Sequence, residues 1–140
     1  MPSQLQRLRK VCLSFPDAHE VESWGAPTFR YDNHLFAMYA EANNNHGDGR
    51  EGVWIKCTAI NQSLMISANP KRFFFPPYVG PSGWVGVYLD GRVSWKELTG
   101  ILRDGYDMTV AKFPRKKRGA GSSSAREKPR PAARKQRRSK

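Results

Sequence analysis

The sequence predicts a single α+β domain followed by a charged tail, on three observations. A capped apolar helix pattern opens the chain, short alternating aromatic strands follow it, and a second well-capped amphipathic helix closes the run. Past Pro114 the composition changes completely. The expected architecture is an antiparallel sheet with helices packed on it over residues 1–113, and a disordered Lys/Arg-rich tail over 114–140.

Ser3 and Gln6 have capping-box spacing, and Leu5, Leu8, Val11, Cys12 and Phe15 recur at helical intervals. Phe15-Pro16 is the expected stop, because the residue before proline is steered out of the α region. Glu20–Trp24 is short and alternating. Thr28–Tyr31 and His34–Tyr39 flank Asp32-Asn33, which reads as a hairpin turn between aromatic strands. Glu41–Gly52 holds no apolar residue larger than alanine and reads as an exposed loop. Val53–Cys57 returns as a strand.

Thr58 caps an expected helix to Ala68 with Ile60, Leu64 and Met65 turned inward, and Asn69-Pro70 stops it. Arg72–Pro81 is aromatic and proline-rich, Trp84–Leu89 is a strand, and Asp90-Gly91 turns the chain. Ser94 and Glu97 form a capping box for a helix with Trp95, Leu98, Ile101, Leu102 and Tyr106 on one side. Gly100 and Gly105 each weaken that helix by up to about 1 kcal/mol relative to alanine, which implies close packing at both.

The charge is segregated. Met1–Ala111 holds 11 Lys/Arg and 11 Asp/Glu, whereas Lys112–Lys140 holds 13 Lys/Arg and the single acid Glu127. The net +12 therefore resides in the last fifth of the chain. Arg115–Lys140 contains no aromatic residue, Leu, Ile, Val or Met, and cannot bury enough apolar surface to offset its ordering entropy. Cys12 and Cys57 suit buried thiols in a reducing compartment better than a disulfide framework. No signal-peptide pattern and no run of about 20 apolar residues is present, so the expected location is cytoplasmic, associated with the nucleoid.

Three stretches together resemble the MmcQ/YjbR family: Ser23-Trp24-Gly25-Ala26-Pro27-Thr28-Phe29-Arg30, the long segment Asn69–Gly86 centred on Lys71-Arg72-Phe73-Phe74-Phe75-Pro76-Pro77-Tyr78, and the Trp95-Lys96-Glu97-Leu98 helix opening. The resemblance spans Leu5 to Lys112 and leaves out the basic tail. It implies a secretion-chaperone-like α+β topology and DNA binding through paired hairpin wings. It supplies no catalytic residues.

Lys and Arg spaced along a flexible backbone can follow a phosphate chain, each contact releasing condensed counterions without reading a base. The expected nucleic-acid contacts are Arg115, Lys116, Lys117, Arg118, Arg126, Lys128, Arg130, Arg134, Lys135, Arg137, Arg138 and Lys140, joined by Lys71 and Arg72 from the domain. DNA is the expected partner, with RNA satisfying the same electrostatics. A membrane is disfavoured because no apolar anchor accompanies the charge. Arg30, Arg50 and Lys56 lie on or near the hairpins, each an ordinary strand-surface charge unless the hairpins act as wings.

The aromatics around Pro76-Pro77 read first as packing, with at least two of Phe73–Phe75 in the core, and Trp24 reads as core or rim. His19, His34 and His46 have no metal-ligand spacing with Cys12 or Cys57, and Glu20 and Glu22 lack a partner that would make them an acid–base pair. No enzyme, metal or cofactor is expected. The expected function is a non-enzymatic DNA-binding protein. The alternative is a chaperone-like protein-interaction module that its tail localises to nucleic acid, and a third reading makes Trp24, Phe73, Tyr78 and Trp84 the walls of a ligand pocket.

Overall fold

Ser3 caps the first helix through a reciprocal exchange: its Oγ accepts from the Gln6 amide at 3.1 Å while Gln6 Oε1 accepts from the Ser3 amide at 2.8 Å. The computed structural model in which this is seen describes residues 3–42 and 49–114. Helix α1 spans Gln4–Cys12 and ends before Phe15-Pro16, with Leu13 as its cap. Phe15 is nevertheless buried, and its ring meets those of Phe36 and Tyr106.

Strands β1 (Ala18–Ser23), β2 (Ala26–Tyr31) and β3 (His34–Ala40) form a meander. The Asp32-Asn33 turn forms where its sequence signal lies, with φ of 47° and 76°. Trp24 and Gly25 make the matching turn between β1 and β2, at 54° and 75°. Two successive positive φ values suit the right-handed twist of the flanking strands. Strand β4 (Gly52–Ile55), helix α2 (Ala59–Ala68), strand β5 (Phe73–Phe74), a 3-10 turn at Gly80–Ser82, strand β6 (Val85–Tyr88) and helix α3 (Trp95–Lys112) complete the chain. The six strands are antiparallel throughout, in the order β1-β2-β3-β4-β6-β5.

The sheet has two unequal faces. On one, Phe29, Phe36 and Ile55 meet Leu8 of α1 with Leu98 and Leu102 of α3, all without solvent exposure. On the other, Ala26, Met38, Ala40, Trp54 and Trp84 form a smaller cluster, with Leu35, Phe74 and Val79 packed against it. The strand period of two separates them, since Ala37 pairs with Ile55 on the first face and Met38 with Trp54 on the second.

Two expectations are corrected. Ile60 and Leu64 of α2 point to solvent, and the residue that α2 buries is Gln62. Its Nε2 donates to the carbonyl oxygens of Gly80 and Trp84, so hydrogen bonds join the packing of Met65, inward as expected, and Ile66 in docking α2. Gly100 has open space around it, whereas Gly105 lies against β4 and the residue after it. Close approach accounts for one of the two helix glycines and not the other. At the head of α3, Ser94 Oγ accepts from the Glu97 amide at 3.3 Å, and the Glu97 carboxylate reaches out to Arg72.

Candidate functional site

The second sheet face carries a groove of about 460 Å³ lined by Trp24, Met38, Trp54, Tyr78 and Val79. Met38 and Trp54 are cross-strand partners and form its base within the sheet. Trp24 stands at one side on the β1–β2 turn, and Tyr78 at the other on the loop after β5. Trp54 is 2% exposed, but Trp24 and Tyr78 are 66% and 73% exposed. Among the described residues no lining side chain carries a charge.

Both exposed rings sit on left-handed backbone. Trp24 occupies the first position of a turn that favours asparagine, aspartate or glycine. Tyr78 has φ of 67°, and the Val79 amide donates across it to the Pro77 carbonyl at 2.6 Å. That bond closes a γ-turn of the strained, positive-φ hand. For bulky side chains such conformations are outliers, costing of order 1–3 kcal/mol each, and they cluster at functional sites.

Arg30 lies on the same face, in the strand beside the groove. Its guanidinium donates to Ser23 Oγ at 2.8 Å, Thr28 Oγ1 at 3.2 Å and the Asn33 carbonyl at 3.4 Å. Ser23 directly precedes Trp24, and Thr28 pairs with Met38. All of these acceptors are neutral, so Arg30 is held in place with its charge uncompensated by any carboxylate among the described residues. Four of the other six described arginines differ. Arg9 pairs with Glu20 at 2.9 Å, Arg50 with Asp90 at 2.8 Å, Arg72 with Glu97 at 2.5 Å and Arg103 with Asp107 at 3.0 Å. Asp90 is held below the ordinary carboxylate range by its bond to Arg50.

Of the contact residues expected from the sequence, Lys71 is exposed, while Arg72 is half-buried, bonded to Glu97 and 5.1 Å from the Phe73 ring centre. Arg115, Lys116, Lys117, Arg118, Arg126, Lys128, Arg130, Arg134, Lys135, Arg137, Arg138 and Lys140 lie outside the described residues, as does the loop histidine His46. The postulated pocket of Trp24, Phe73, Tyr78 and Trp84 is regrouped. Phe73 belongs to the helix-side core and Trp84 to the buried cluster, while Trp24 and Tyr78 stay together at the groove. Met38 and Trp54 were hidden from the sequence reading, although the strand alternation that pairs them was visible. Trp24, expected in the core or at its rim, is mostly exposed. Among the described residues no group of three His, Cys, Asp or Glu side chains could hold a metal ion.

An antiparallel sheet thus carries helices on one face and an aromatic groove on the other, in one α+β domain. The chain belongs to the YjbR family, whose model matches residues 13–108. Solved structures share the fold. A Deinococcus radiodurans protein with a DUF419 domain is 20% identical over 80% of this chain and 84% of its own, with a TM-score of 0.65. A Pseudomonas syringae protein is 18% identical over 78% of this chain and 99% of its own, at 0.58. A Bacillus subtilis protein of the DUF1801 family is 12% identical over 77% of each chain, at 0.51. No curated protein matches. Among the described residues no helix is long and apolar enough to cross a membrane.

Proposed function

We propose that the protein binds nucleic acid without reading base sequence, its affinity residing mainly in the charge of Lys112–Lys140, with the folded domain as a weaker second contact. One observation carries the reading: the segregation of charge. The net +12 sits in the last fifth of the sequence, and in the domain Arg9, Arg50, Arg72 and Arg103 are engaged with carboxylates of their own. A cation already paired within the protein gains less on meeting a phosphate than one facing water. On this reading the protein resides at the nucleoid, and the tail raises the local concentration of the domain there.

The test is fluorescence anisotropy with a random duplex across a salt series, comparing the full chain with a version ending at Pro114. With about ten engaged cations the full chain shows a slope of log K against log salt of up to roughly −9, and truncation removes most of it. Failure of the full chain to bind at low salt overturns the proposal. A second reading, a protein-docking module localised by its tail, is favoured by the exposed Ile60 and Leu64 of α2. It predicts that all nucleic-acid binding disappears with the tail.

A further inference from the structure

We propose that the groove between Trp24 and Tyr78 receives unpaired nucleobases, so that the domain distinguishes single strands from duplex. This rests on the nucleic-acid reading above and adds a ligand state to it. A base inside a duplex has both faces covered by its neighbours, and only an unpaired base can offer a ring to a protein aromatic. The groove supplies the reciprocal surface: two exposed rings facing solvent over a base of Met38 and Trp54. Its volume falls within the range of small-ligand sites and suits one flat heteroaromatic group.

Charge selects among the occupants an apolar groove could take. An apolar peptide or a neutral small molecule gives Arg30 nothing to answer its uncompensated guanidinium, whereas a nucleotide brings a phosphate with its base. Arg30 is fixed beside the groove by Ser23 and Thr28, and among the described residues no carboxylate lines the groove itself. The start of the tail lies at the β2–β3 hairpin, on the helix-bearing face of the sheet. Phe113 stacks on His34 with ring centres 3.7 Å apart, and His34 pairs with Tyr31, the neighbour of Arg30. The chain continues from Pro114 directly into Arg115-Lys116-Lys117-Arg118.

The backbone gives a second, independent reason. Trp24 and Tyr78 both occupy positive-φ positions that glycine or asparagine fills with less strain, and neither ring buries most of its surface in return. Exposed rings held on strained backbone form a surface suited to stacking.

The experiment titrates the full chain with oligothymidylate, oligouridylate and a random duplex of matched length at one salt concentration, reading tryptophan fluorescence and anisotropy. Trp24 is by far the more exposed of the groove tryptophans, so base stacking is expected to quench emission with single strands and little with duplex. Trp24→Asn and Tyr78→Gly, made singly and together, are each expected to weaken single-strand binding roughly tenfold, given ~1–3 kcal/mol per stacked base, with duplex affinity within about twofold of the parent. Ring dependence with either oligonucleotide supports the groove, and comparing the two assigns the sugar it accepts. If both variants, folded by circular dichroism, bind both single strands as the parent does, the groove has another occupant and the inference fails. Loss of duplex binding by the parent chain instead overturns the tail reading, and the ring dependence of single-strand binding still judges the groove.

Discussion

Gly105 of α3 crosses the Lys56 carbonyl so closely that a β-carbon there would stand 2.8 Å from the oxygen and 2.9 Å from Ile55 Cγ2. Both obstacles are in or next to the central strand β4, and backbone oxygen cannot step aside. Gly105→Ala is therefore expected to destabilise the domain by roughly 1–3 kcal/mol through overpacking, despite alanine's better helix propensity. Gly100, on the same helix, has nothing within 4 Å. Gly100→Ala is expected to stabilise by up to about 1 kcal/mol. Urea midpoints of the pair decide the matter, and equal shifts in one direction would contradict the packing.

Gln62 gives a complementary expectation. Replacing it with leucine keeps the side-chain size but takes the side-chain donor from the Trp84 carbonyl and leaves the Gly80 carbonyl with the Gly83 amide. A loss of about 1–3 kcal/mol is expected. Tyr78 reports the same event, because the Gly80 amide anchors the Tyr78 loop to the Pro76 carbonyl. Hydrogen exchange at Val79 and Gly80 should quicken in Gln62→Leu more than exchange in β3. Uniform acceleration would mean that Gln62 does not specifically secure the loop.

Trp24→Asn separates stability from binding. Asparagine suits the first position of a turn with two positive φ angles, and the tryptophan forgoes most of its possible burial there. The melting temperature is expected to stay level or rise by a few degrees, the yield of about 1 kcal/mol in a domain of this size. A clear drop would show that the ring is structural, in line with the packing role its Gly-Ala-Pro neighbours suggest.

The elements were legible where local chemistry decides them. The Ser3–Gln6 and Ser94–Glu97 spacings, the Asp32-Asn33 turn and the aromatic alternation each carry their signal within a few residues. What escaped depends on distant partners. Ile60 and Leu64 look like core residues until the docking of α2 through Gln62 is known, and Gly100 and Gly105 are identical in sequence but differ in what β4 places against them. The groove was half visible. Trp24 and Tyr78 stand among the aromatics the sequence singles out, but only sheet register brings Met38 and Trp54 into the same groove. Arg30 is set apart from Arg9, Arg50, Arg72 and Arg103 once their carboxylate partners are known.

Alkali should unfold this domain more readily than mild acid. Burial pushes the Cys12 and Cys57 thiols up, and it likewise raises the Tyr39 hydroxyl, which donates to Glu51, and that of Tyr106, which donates to the Pro16 carbonyl. Each group keeps its proton in the folded state at a pH where the unfolded chain has released it. Their contribution is fully present below the unfolded values, near 8.5 for thiols and 10 for tyrosines, and is lost as pH rises toward the folded ones. At about one unit above a free thiol's value, fully buried Cys12 alone accounts for roughly 1.4 kcal/mol of lost stability. On the acid side, the depressed Asp90 contributes in the opposite sense: its support is present above the free carboxylate value and fades as pH falls through the folded one. That pair is exposed, so its effect is small. Urea midpoints should therefore fall from pH 7 to about pH 9.5, while native Cys12 resists a thiol reagent until denaturant is added. A midpoint that holds level, or rapid labelling of native Cys12, would mean that the thiol is not sealed in the core.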